Sequence, residues 1–361
     1  MNRKTILILS NASTGVYDFR NELMLALLEK YRVVVSVPDD LCIRELAEEG
    51  CEIVHTPIDR RGVNPKKDIG LFFAYCRLLK ELKPDLVLTY TIKPNIYGGC
   101  ACRIKKIPYF STITGLGSAF QKGAVFRKMI ICMYRAGLHG AHCVFFQNAR
   151  NRELFQRYKI MGKKDKLVSG SGVNLEVHKA EEYPIGEKIR FLFIGRIMKE
   201  KGIEEFLEAA KVLHNEKVSF ELLGYCDEDY QERLDQYEDR GIIIQHGFHT
   251  DVCSFLKEAS ALILPTYHEG MSNVLMEASA TARPVIATSI SGCMEVFEEG
   301  VTGFGCEPGN VASLIEAIKK FLSLSIEQRA VMGLSARNKM EREFDRRKVT
   351  AAYMEEIENI C

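Results

Sequence analysis

The sequence lacks any apolar run long enough to cross a bilayer. Among its 361 residues, clean apolar runs such as Met129–Met133 fall far below the ~20 residues of a membrane-spanning helix. The apolar stretch Ile6–Leu9 near the start is too short for a signal-peptide core, and no small-residue cleavage site follows it. We therefore expect a first β-strand there, in a cytosolic protein that is at most peripherally bound to a membrane.

Cysteines at metal-site spacing are missing too, although the chain has 12 cysteines. Cys100 and Cys102 form the only close pair, and no second pair accompanies them. The sequence has neither short repeats nor low-complexity segments, and its 47% hydrophobic and 27% charged residues are typical of globular proteins. We interpret the cysteines as reduced, mostly buried thiols, and we exclude a fibrous or unstructured protein.

Acidic residues are absent from one long interval, residues 86–152, which carries ten Lys and Arg. Residues 1–180 have a net charge of +13 and the remainder −12, although the whole chain is +1. This asymmetry predicts an anionic partner for the first half: nucleic acid, anionic lipid headgroups or a phosphorylated substrate. The alternative is a basic first domain complemented by an acidic second one.

Short β-branched runs alternate with amphipathic segments, which predicts βαβ units and parallel sheets, an α/β fold class. The pattern restarts after the polar segment Glu181–Glu187. We expect Rossmann-like domains at 1–180 and 188–340 facing an interdomain cleft, and a C-terminal helix at 341–361 packing back on the first domain. The predicted strands are Thr5–Ser10, Arg32–Val37, Glu52–Thr56, Asp85–Thr91, Tyr109–Ile113, Cys143–Gln147, Lys166–Gly170, Arg190–Gly195, Ser219–Gly224, Ile242–Gly247, Ala261–Pro265 and Pro284–Thr288.

The turn after the first strand, Asn11–Gly15, lacks the G-x-G-x-x-G spacing of a dinucleotide site and the Lys of a P-loop. A nicotinamide-dependent dehydrogenase is therefore disfavoured. Gly15 is compatible both with close approach of a substrate to the backbone and with an ordinary turn.

The second half places two cations where a predicted strand ends. Arg196 directly follows the strand Arg190–Gly195, and Lys201 precedes a predicted helix. A guanidinium and an ammonium there could hold a diphosphate, since ligands bind beyond the carboxyl ends of parallel strands. Lysines near a helix start are also common on plain surfaces, so both interpretations stay open.

Two glutamates eight residues apart follow the strand Ala261–Pro265. Glu269 lies in the predicted loop, and Glu277 lies one or two turns inside the helix that follows. Backbone N–H groups at Ser272, Asn273 and Val274 would suit a phosphate, and the two carboxylates would suit hydroxyls of a sugar nucleotide.

In order along the chain, these residues resemble the retaining glycosyltransferases of family 4, which have the GT-B fold. The first half resembles bacterial members that extend polyprenyl-diphosphate-linked sugars, such as N-acetylgalactosaminyltransferases acting on undecaprenyl-diphosphate-linked sugars. The elements that carry the resemblance are Tyr17–Arg20, Tyr90–Tyr97, Thr112–Gly117, Gly195-Arg196, Lys201-Gly202, Glu269 and Glu277 followed by Ala278 and Ala280, Arg283–Ala287, and Gly303-Phe304.

The resemblance implies a role for each matching residue in the second half. Arg196 and Lys201 would stabilise the nucleotide diphosphate, Glu277 would bind ribose hydroxyls, and Glu269 would contact the donor sugar. Many members have a His that contacts the donor sugar where this chain has Thr114, so that role does not carry over.

For His268 and for the acidic segment Asp227–Asp229, we favour a structural interpretation over a functional one. His268 could line the site, but a satisfied structural His is the more frequent case. Asp227-Glu-Asp229 reads as a metal-binding D-x-D motif, but after a strand we interpret it as an acidic helix start, and we expect no metal.

The basic first half suits a lipid diphosphate in an anionic membrane, with Lys93, Arg127, Lys128 and Arg135 as candidate acceptor or membrane contacts. Segment Val125–Arg135 has the pattern of an interfacial helix, and a core-packed helix is its alternative. The residues expected on its apolar side are Val125, Phe126, Met129, Ile130 and Met133.

We therefore expect a retaining, metal-independent glycosyltransferase at the inner face of the cell membrane. It would move a sugar, a hexose or N-acetylhexosamine, from a UDP donor to a polyprenyl-diphosphate-linked acceptor, with no further cofactor. A sugar-nucleotide epimerase of the same fold and a non-catalytic sugar-nucleotide-binding protein stay as alternatives. A nucleic-acid binder is disfavoured because no recognised binding module accompanies the basic residues.

Overall fold

The computed structural model describes residues 3–60, 62, 64–115, 123–186 and 188–361. The chain forms two compact units. Unit 1 comprises Met1–Ser171 and Arg346–Cys361, and unit 2 comprises Gly172–Asp345. The first segment of unit 1 thus ends at Ser171, earlier than the expected residue 180. The chain returns to unit 1 at Arg346, later than the expected residue 341. Leu116–Lys122, which includes the end of the Thr112–Gly117 motif, lies outside the described residues.

Unit 1 is built on a parallel sheet of seven strands. Its strands are β1 (Thr5–Leu9), β2 (Arg32–Val37), β3 (Glu52–His55), β4 (Leu86–Tyr90), β5 (Tyr109–Ile113), β6 (Cys143–Phe146) and β7 (Asp165–Leu167). They lie in the order β3-β2-β1-β4-β5-β6-β7. Every residue of the central strands β1, β4 and β5 is buried. Burial on both faces explains why β1 and β4 appear in the sequence as apolar runs without a polar–apolar alternation.

Helices cover both faces of this sheet. Those of the first 171 residues are α1 (Thr14–Lys30), α2 (Ile43–Glu48), α3 (Pro65–Leu82), α4 (Gly99–Lys105), α5 (Ala124–Leu138) and α6 (Ala149–Arg157), with a π-helical turn at Pro94–Gly98 before α4. The helices α3 to α6 contribute to one hydrophobic cluster, and α1 and α2 contribute to another. The two helical layers therefore lie on opposite faces of the sheet.

The last helix of the chain, α13 (Arg346–Glu358), completes the layer formed by α1 and α2. Its Tyr353 is buried, with its ring stacked 3.9 Å from that of Phe145. The Tyr353 hydroxyl is hydrogen-bonded to the hydroxyl of Thr112 at 2.7 Å. Residues from the end of the chain are thus part of the core of unit 1.

Unit 2 repeats the same architecture with six strands. They are β8 (Ile189–Ile194), β9 (Val218–Leu223), β10 (Ile244–Gly247), β11 (Ala261–Leu264), β12 (Val285–Thr288) and β13 (Gly303–Cys306), in the order β10-β9-β8-β11-β12-β13. Its helices are α7 (Ile203–Leu213), α8 (Gln231–Asp239), α9 (Cys253–Glu258), α10 (Asn273–Ala280), α11 (Val311–Leu322) and α12 (Ile326–Lys339). In both sheets the strand order reverses between the first and the fourth strand, as in Rossmann-like folds.

Most predicted strands differ from the observed ones by one or two residues at their ends, and two differ by more. β7 lies at Asp165–Leu167, earlier than the predicted Lys166–Gly170. β13 was not predicted, because its sequence Gly-Phe-Gly-Cys has no β-branched run. Gly303 is required there: a Cβ on it would lie 2.1 Å from the carbonyl oxygen of Val285 on the neighbouring strand.

Arg283 connects the start of unit 2 to its core. Its side chain is fully buried, and burial lowers the pKa of its guanidinium to about 10. The guanidinium donates hydrogen bonds to five backbone carbonyls, those of Glu181, Glu182, Leu256, Lys257 and Ala282. These bonds fix the segment before β8 on unit 2, which explains why the boundary between the units comes earlier than the polar linker suggested.

We expect Arg283→Leu to lower the free energy of unfolding by roughly 3–5 kcal/mol, because buried carbonyls lose their donor. Arg283→Lys should also destabilise, because one ammonium cannot reach all five carbonyls. Urea unfolding followed by circular dichroism measures both variants. The exposed Arg240 provides the control, and Arg240→Leu should change stability by less than about 0.5 kcal/mol. An Arg283→Leu protein as stable as the wild type would contradict this role.

Candidate functional site

Four of the predicted site residues lie near the carboxyl edge of the unit 2 sheet. Arg196 and Lys201 follow β8, Glu269 follows β11, and Glu277 lies in the second turn of α10. β8 and β11 are neighbours in the sheet, and the strand order reverses between them. The crevice beyond such a reversal is where doubly wound sheets bind ligands.

Lys201 and Glu269 form an ion pair. The ammonium of Lys201 donates to Glu269 Oε1 at 2.5 Å, and both side chains are more than three-quarters buried. Lys201 ends a short 3-10 turn, Lys199–Lys201, that directly precedes α7. Contact between these two predicted site residues was not apparent from the sequence, because 67 residues separate them.

A close backbone approach brings the two loops of this pair together. Gly202 adopts a φ of +77°, and a Cβ on it would lie 2.0 Å from the carbonyl oxygen of Pro265. Next to this contact, the carbonyl of Glu200 accepts hydrogen bonds from the Tyr267 N–H (2.9 Å) and the Thr266 hydroxyl (3.2 Å). Glycine at 202 is therefore a geometric requirement for joining the loops after β8 and β11.

Arg196 has a carboxylate partner of its own. Its guanidinium donates to Asp227 Oδ2 at 2.7 Å. Asp227 lies just before α8, and the neighbouring Glu228 accepts a hydrogen bond from the Lys199 N–H at 2.8 Å. The acidic Asp227–Asp229 segment was expected to begin a helix, but α8 begins only at Gln231. The segment instead positions the loop that carries Arg196 and Lys201. In the described ranges no three His, Cys, Asp or Glu side chains are grouped as metal ligands would be.

The N-terminus of α10 adjoins the ion pair. α10 begins at Asn273, and Asn273 and Val274 are half-buried in its first turn. The N–H of Ser272 donates to the carbonyl of Gly292 at 2.8 Å, so this predicted phosphate donor is engaged within the protein. Gly292, at a φ of +92°, packs so closely on Glu269 that a Cβ would lie 2.8 Å from the Glu269 carbonyl oxygen.

Cys293 lies buried behind the ion pair. Burial and the nearby negative charge of Glu269 raise the pKa of its thiol well above the usual value. Cys293 is therefore a neutral thiol that fills space behind the ion pair. His268, by contrast, is exposed on the loop after β11.

Two predicted residues lie at the carboxyl edge of the unit 1 sheet. Gly15 lies in the first turn of α1, where a Cβ would meet only the Ser10 hydroxyl at 3.9 Å, so the protein's own packing does not require glycine there. Its carbonyl accepts a hydrogen bond from Arg20, whose guanidinium lies 4.1 Å from the centre of the Tyr90 ring. Thr114 is half-buried just after β5.

The predicted acceptor and membrane residues fall into two groups. Lys93 is largely buried, and its ammonium donates to Asp68 (2.6 Å) and to the carbonyl of Gly62 (2.9 Å), so it is not an exposed charge. Arg127, Lys128 and Arg135 are exposed on α5, where Arg135 also donates to the carbonyl of Tyr158.

The apolar residues of α5 do not share one side. Ile130 is buried in the core, and Phe126 and Met133 are partly buried against it. Val125 and Met129 are exposed. Among the described helices, none combines the length and apolar character needed to cross a bilayer.

Models of two protein families match the chain. Residues 5–148 match the family described as glycosyl transferase 4-like, and residues 188–323 match the glycosyl transferases group 1. The two matched ranges fall in unit 1 and unit 2, respectively, and together they include the site residues of both sheets.

Curated proteins resemble the chain over most of its length. It is 28% identical to N,N'-diacetylbacillosaminyl-diphospho-undecaprenol alpha-1,3-N-acetylgalactosaminyltransferase of Campylobacter jejuni, a match that covers 87% of this chain and 88% of that protein. It is 25% identical to UDP-Gal:alpha-D-GlcNAc-diphosphoundecaprenol alpha-1,3-galactosyltransferase of Escherichia coli, with 79% and 78% covered.

A solved structure supports the fold. The structure of Anabaena HepE in complex with UDP and glucose superposes with a TM-score of 0.81 at 17% identity, and the match covers 99% of this chain and all of that one. At this level of identity the match shows a shared fold.

We expect Gly202→Ala to destabilise the protein by roughly 2–4 kcal/mol, because it combines an unfavourable φ with overlap against Pro265. Gly241→Ala is the matched control: Gly241 has a φ of +69° but open space around it, so only the backbone strain of about 1 kcal/mol should appear. Guanidinium unfolding curves compare the two. Equal losses in both variants would show that the contact with Pro265 imposes no constraint.

Proposed function

We propose a specific reaction for this chain, which belongs to the glycosyltransferases with a GT-B fold and combines a 4-like domain with a group 1 domain. It transfers a sugar, a hexose or N-acetylhexosamine, from a UDP donor to a polyprenyl-diphosphate-linked saccharide, with retention of anomeric configuration. The observation that carries this proposal is the set of Arg196, Lys201 and Glu269 around the carboxyl ends of β8 and β11.

The donor half of the proposal rests on charge. When the bond from the donor sugar to UDP breaks, negative charge develops on the leaving diphosphate. Arg196 and Lys201 are two positive charges held at the carboxyl edge, and preorganised charges of this kind stabilise such a leaving group most effectively. Each is held by a carboxylate, Asp227 or Glu269, so its position is fixed before the donor binds. Glu277 lies further along α10, where it would bind the ribose hydroxyls.

We propose that the reaction needs no metal ion. Asp227, the first acid of the sequence that resembles a D-x-D motif, is bonded to Arg196. The positive charge required at the diphosphate can then come from Arg196, Lys201 and the N-terminus of α10.

The acceptor half of the proposal rests on the relatives. The names of both bacterial relatives specify acceptors linked to undecaprenol through a diphosphate, and the alignments cover most of each chain. In unit 1, Gly15 leaves open space beside the backbone at the carboxyl edge, where substrate atoms could approach.

A lipid-linked acceptor requires access to a membrane, and we propose peripheral binding to the anionic inner face of the cell membrane. Helix α5 supports this part of the proposal, because Val125 and Met129 are exposed beside Arg127, Lys128 and Arg135. Apolar side chains next to cations are typical of helices that lie in a membrane interface.

We expect the purified protein to move label from a radioactive UDP-sugar panel into the lipid phase when a polyprenyl-diphosphate-linked saccharide is supplied. The product should have the anomeric configuration of the donor, measured by NMR coupling constants, and EDTA should leave the rate unchanged. Isomerised free nucleotide would instead identify an epimerase, and bound but unreacted nucleotide a binding protein. A β-linked product from an α-linked donor would refute retention, and activity lost in EDTA but restored by Mg²⁺ or Mn²⁺ would refute metal independence.

Steady-state kinetics should separate the roles of the site residues. Arg196→Ala and Lys201→Ala should each lower kcat by an amount equivalent to about 2–4 kcal/mol, because each removes stabilisation of the departing diphosphate. Glu277→Ala should chiefly raise the donor KM, because ribose hydroxyls do not change charge during the reaction. Lys211→Ala, on the outer side of α7, is the control and should leave both constants unchanged. If all three site variants have wild-type kinetics, the roles assigned to Arg196, Lys201 and Glu277 are wrong.

We expect the protein to float with vesicles containing anionic phospholipid at low salt and to dissociate as salt rises, because exposed charges are screened over about 8 Å at physiological ionic strength. A variant with Arg127, Lys128 and Arg135 changed to Ser should bind more weakly, because each cation near an anionic surface contributes about 1 kcal/mol. Flotation through a density gradient measures both. If the variant floats like the wild type, α5 is not part of the membrane-binding surface.

A further inference from the structure

Helix α3 carries an apolar pair between cations on its outward face. Ile69 is 56% exposed and Phe73 is 61% exposed. Lys66 lies about one turn before this pair, Arg77 lies one turn after it, and Lys80 follows, all of them exposed. Spacings of three and four residues place the five side chains in one stripe along the helix. We call this stripe the α3 stripe.

The α3 stripe and the exposed residues of α5 belong to the same side of unit 1. Both helices pack their inner faces into one hydrophobic cluster on one face of the sheet. Each also follows a strand of that parallel sheet, so each begins at its carboxyl edge. Ile69 and Phe73 on α3, and Val125 (84% exposed) and Met129 (42% exposed) on α5, therefore lie in the halves of their helices nearest that edge.

Charge is segregated between the two helical layers of unit 1. Helices α3, α4, α5 and α6 together contain twelve Lys and Arg but three Asp and Glu. Helices α1, α2 and α13, on the opposite face, contain six Lys and Arg and eight Asp and Glu. The positive charge of these helices is thus concentrated on the layer that exposes Ile69, Phe73, Val125 and Met129.

We propose that α3 is a membrane-insertion element of unit 1, with Ile69 and Phe73 entering the headgroup region of an anionic bilayer and Lys66, Arg77 and Lys80 contacting lipid phosphates. Basic side chains that flank buried apolar groups on one helix face suit this interface, because their apolar stems can follow the inserted side chains while their charges stay at the phosphates. Nucleic acid would neutralise the cations but would leave Ile69 and Phe73 in water. The proposal rests on the proposed function insofar as a lipid-linked acceptor gives the enzyme a reason to dock.

The inner side of α3 connects this stripe to the carboxyl edge. Asp68, the residue before Ile69, is buried and accepts a hydrogen bond from the Lys93 ammonium at 2.6 Å. Lys93 follows β4 by three residues. A helix docked through Ile69 and Phe73 would therefore hold the loop after β4, at the carboxyl edge of the unit 1 sheet, close to the lipid headgroups.

The absence of tryptophan from the chain allows a direct test. Phe73→Trp places the chain's only tryptophan in the α3 stripe, and Leu25→Trp places it at an exposed site on α1, in the opposite layer (Leu25 is 47% exposed). With vesicles containing phosphatidylglycerol, the Phe73→Trp emission should shift to shorter wavelength and be quenched by brominated lipid. The Leu25→Trp emission should not change. A Phe73→Trp emission that stays unchanged while the protein floats with the vesicles would overturn the proposal.

Flotation of variants provides the second measurement. The double variant Ile69→Ser with Phe73→Ser should partition onto anionic vesicles at least about tenfold more weakly, whereas Leu25→Ser should bind like the wild type. Both should keep the thermal midpoint of the wild type, because the replaced side chains are exposed. Equal binding by the double variant would exclude α3, and so would equal wild-type binding to phosphatidylcholine alone. If the wild type self-associates but does not bind vesicles, and the double variant stays monomeric, the α3 stripe binds a second copy of the chain instead of a membrane.

Sugar transfer to a water-soluble acceptor tests the proposed reaction separately from the membrane role of α3. The double variant should transfer sugar at the wild-type rate to a water-soluble, short-chain diphosphate-linked acceptor, and it should lose activity only with acceptor embedded in vesicles. If the wild type transfers no sugar to either acceptor, the proposed reaction fails while the fluorescence and flotation results still decide the role of α3.

Discussion

The ion pair between Lys201 and Glu269 depends on one close backbone contact, and the rest of the candidate site is arranged around it. Gly202 approaches Pro265 so closely that only glycine fits, and the Glu200 carbonyl binds both Thr266 and Tyr267. The loops after β8 and β11 consequently behave as one structure. Arg196 joins it through Asp227, and Gly292 packs against Glu269 from the loop after β12. The cations of the site are thus held by carboxylates from neighbouring loops, an arrangement that preorganises charge before a ligand binds.

Much of the fold could be predicted from the sequence because parallel strands buried on both faces leave continuous apolar runs. β1, β4 and β11 are examples. The rule that ligands bind beyond the carboxyl ends of such strands then placed Arg196 and Glu269 at the same edge. β13 escaped prediction because Gly303 is needed for close packing on Val285 and the strand has no β-branched residue to signal it.

Contacts between distant residues could not be predicted, because they depend on loop geometry that no local pattern encodes. The bond between Arg196 and Asp227 and the burial of Lys93 against Asp68 are of this kind. The distribution of charge over the first half of the chain could not be predicted either. A net charge for the first half of the chain averages over two helical layers, whereas the structure separates a basic layer, α3 to α6, from a mixed one. Whether the basic residues form a solvated surface or a partner-binding face can be judged only when the two layers are distinguished.

The order of the elements also affects how the protein folds during its synthesis. Helix α13 supplies Tyr353 to the core of unit 1, yet it follows the whole of unit 2 in the chain. The ribosome releases β1 to β7 first, but the layer that covers them beside α1 and α2 is incomplete until α13 emerges. Until then, Phe145 and Thr112 lack the ring and the hydroxyl that they contact in the finished structure. Unit 2, whose strands and helices are contiguous, can therefore close its core before the domain that was synthesised first.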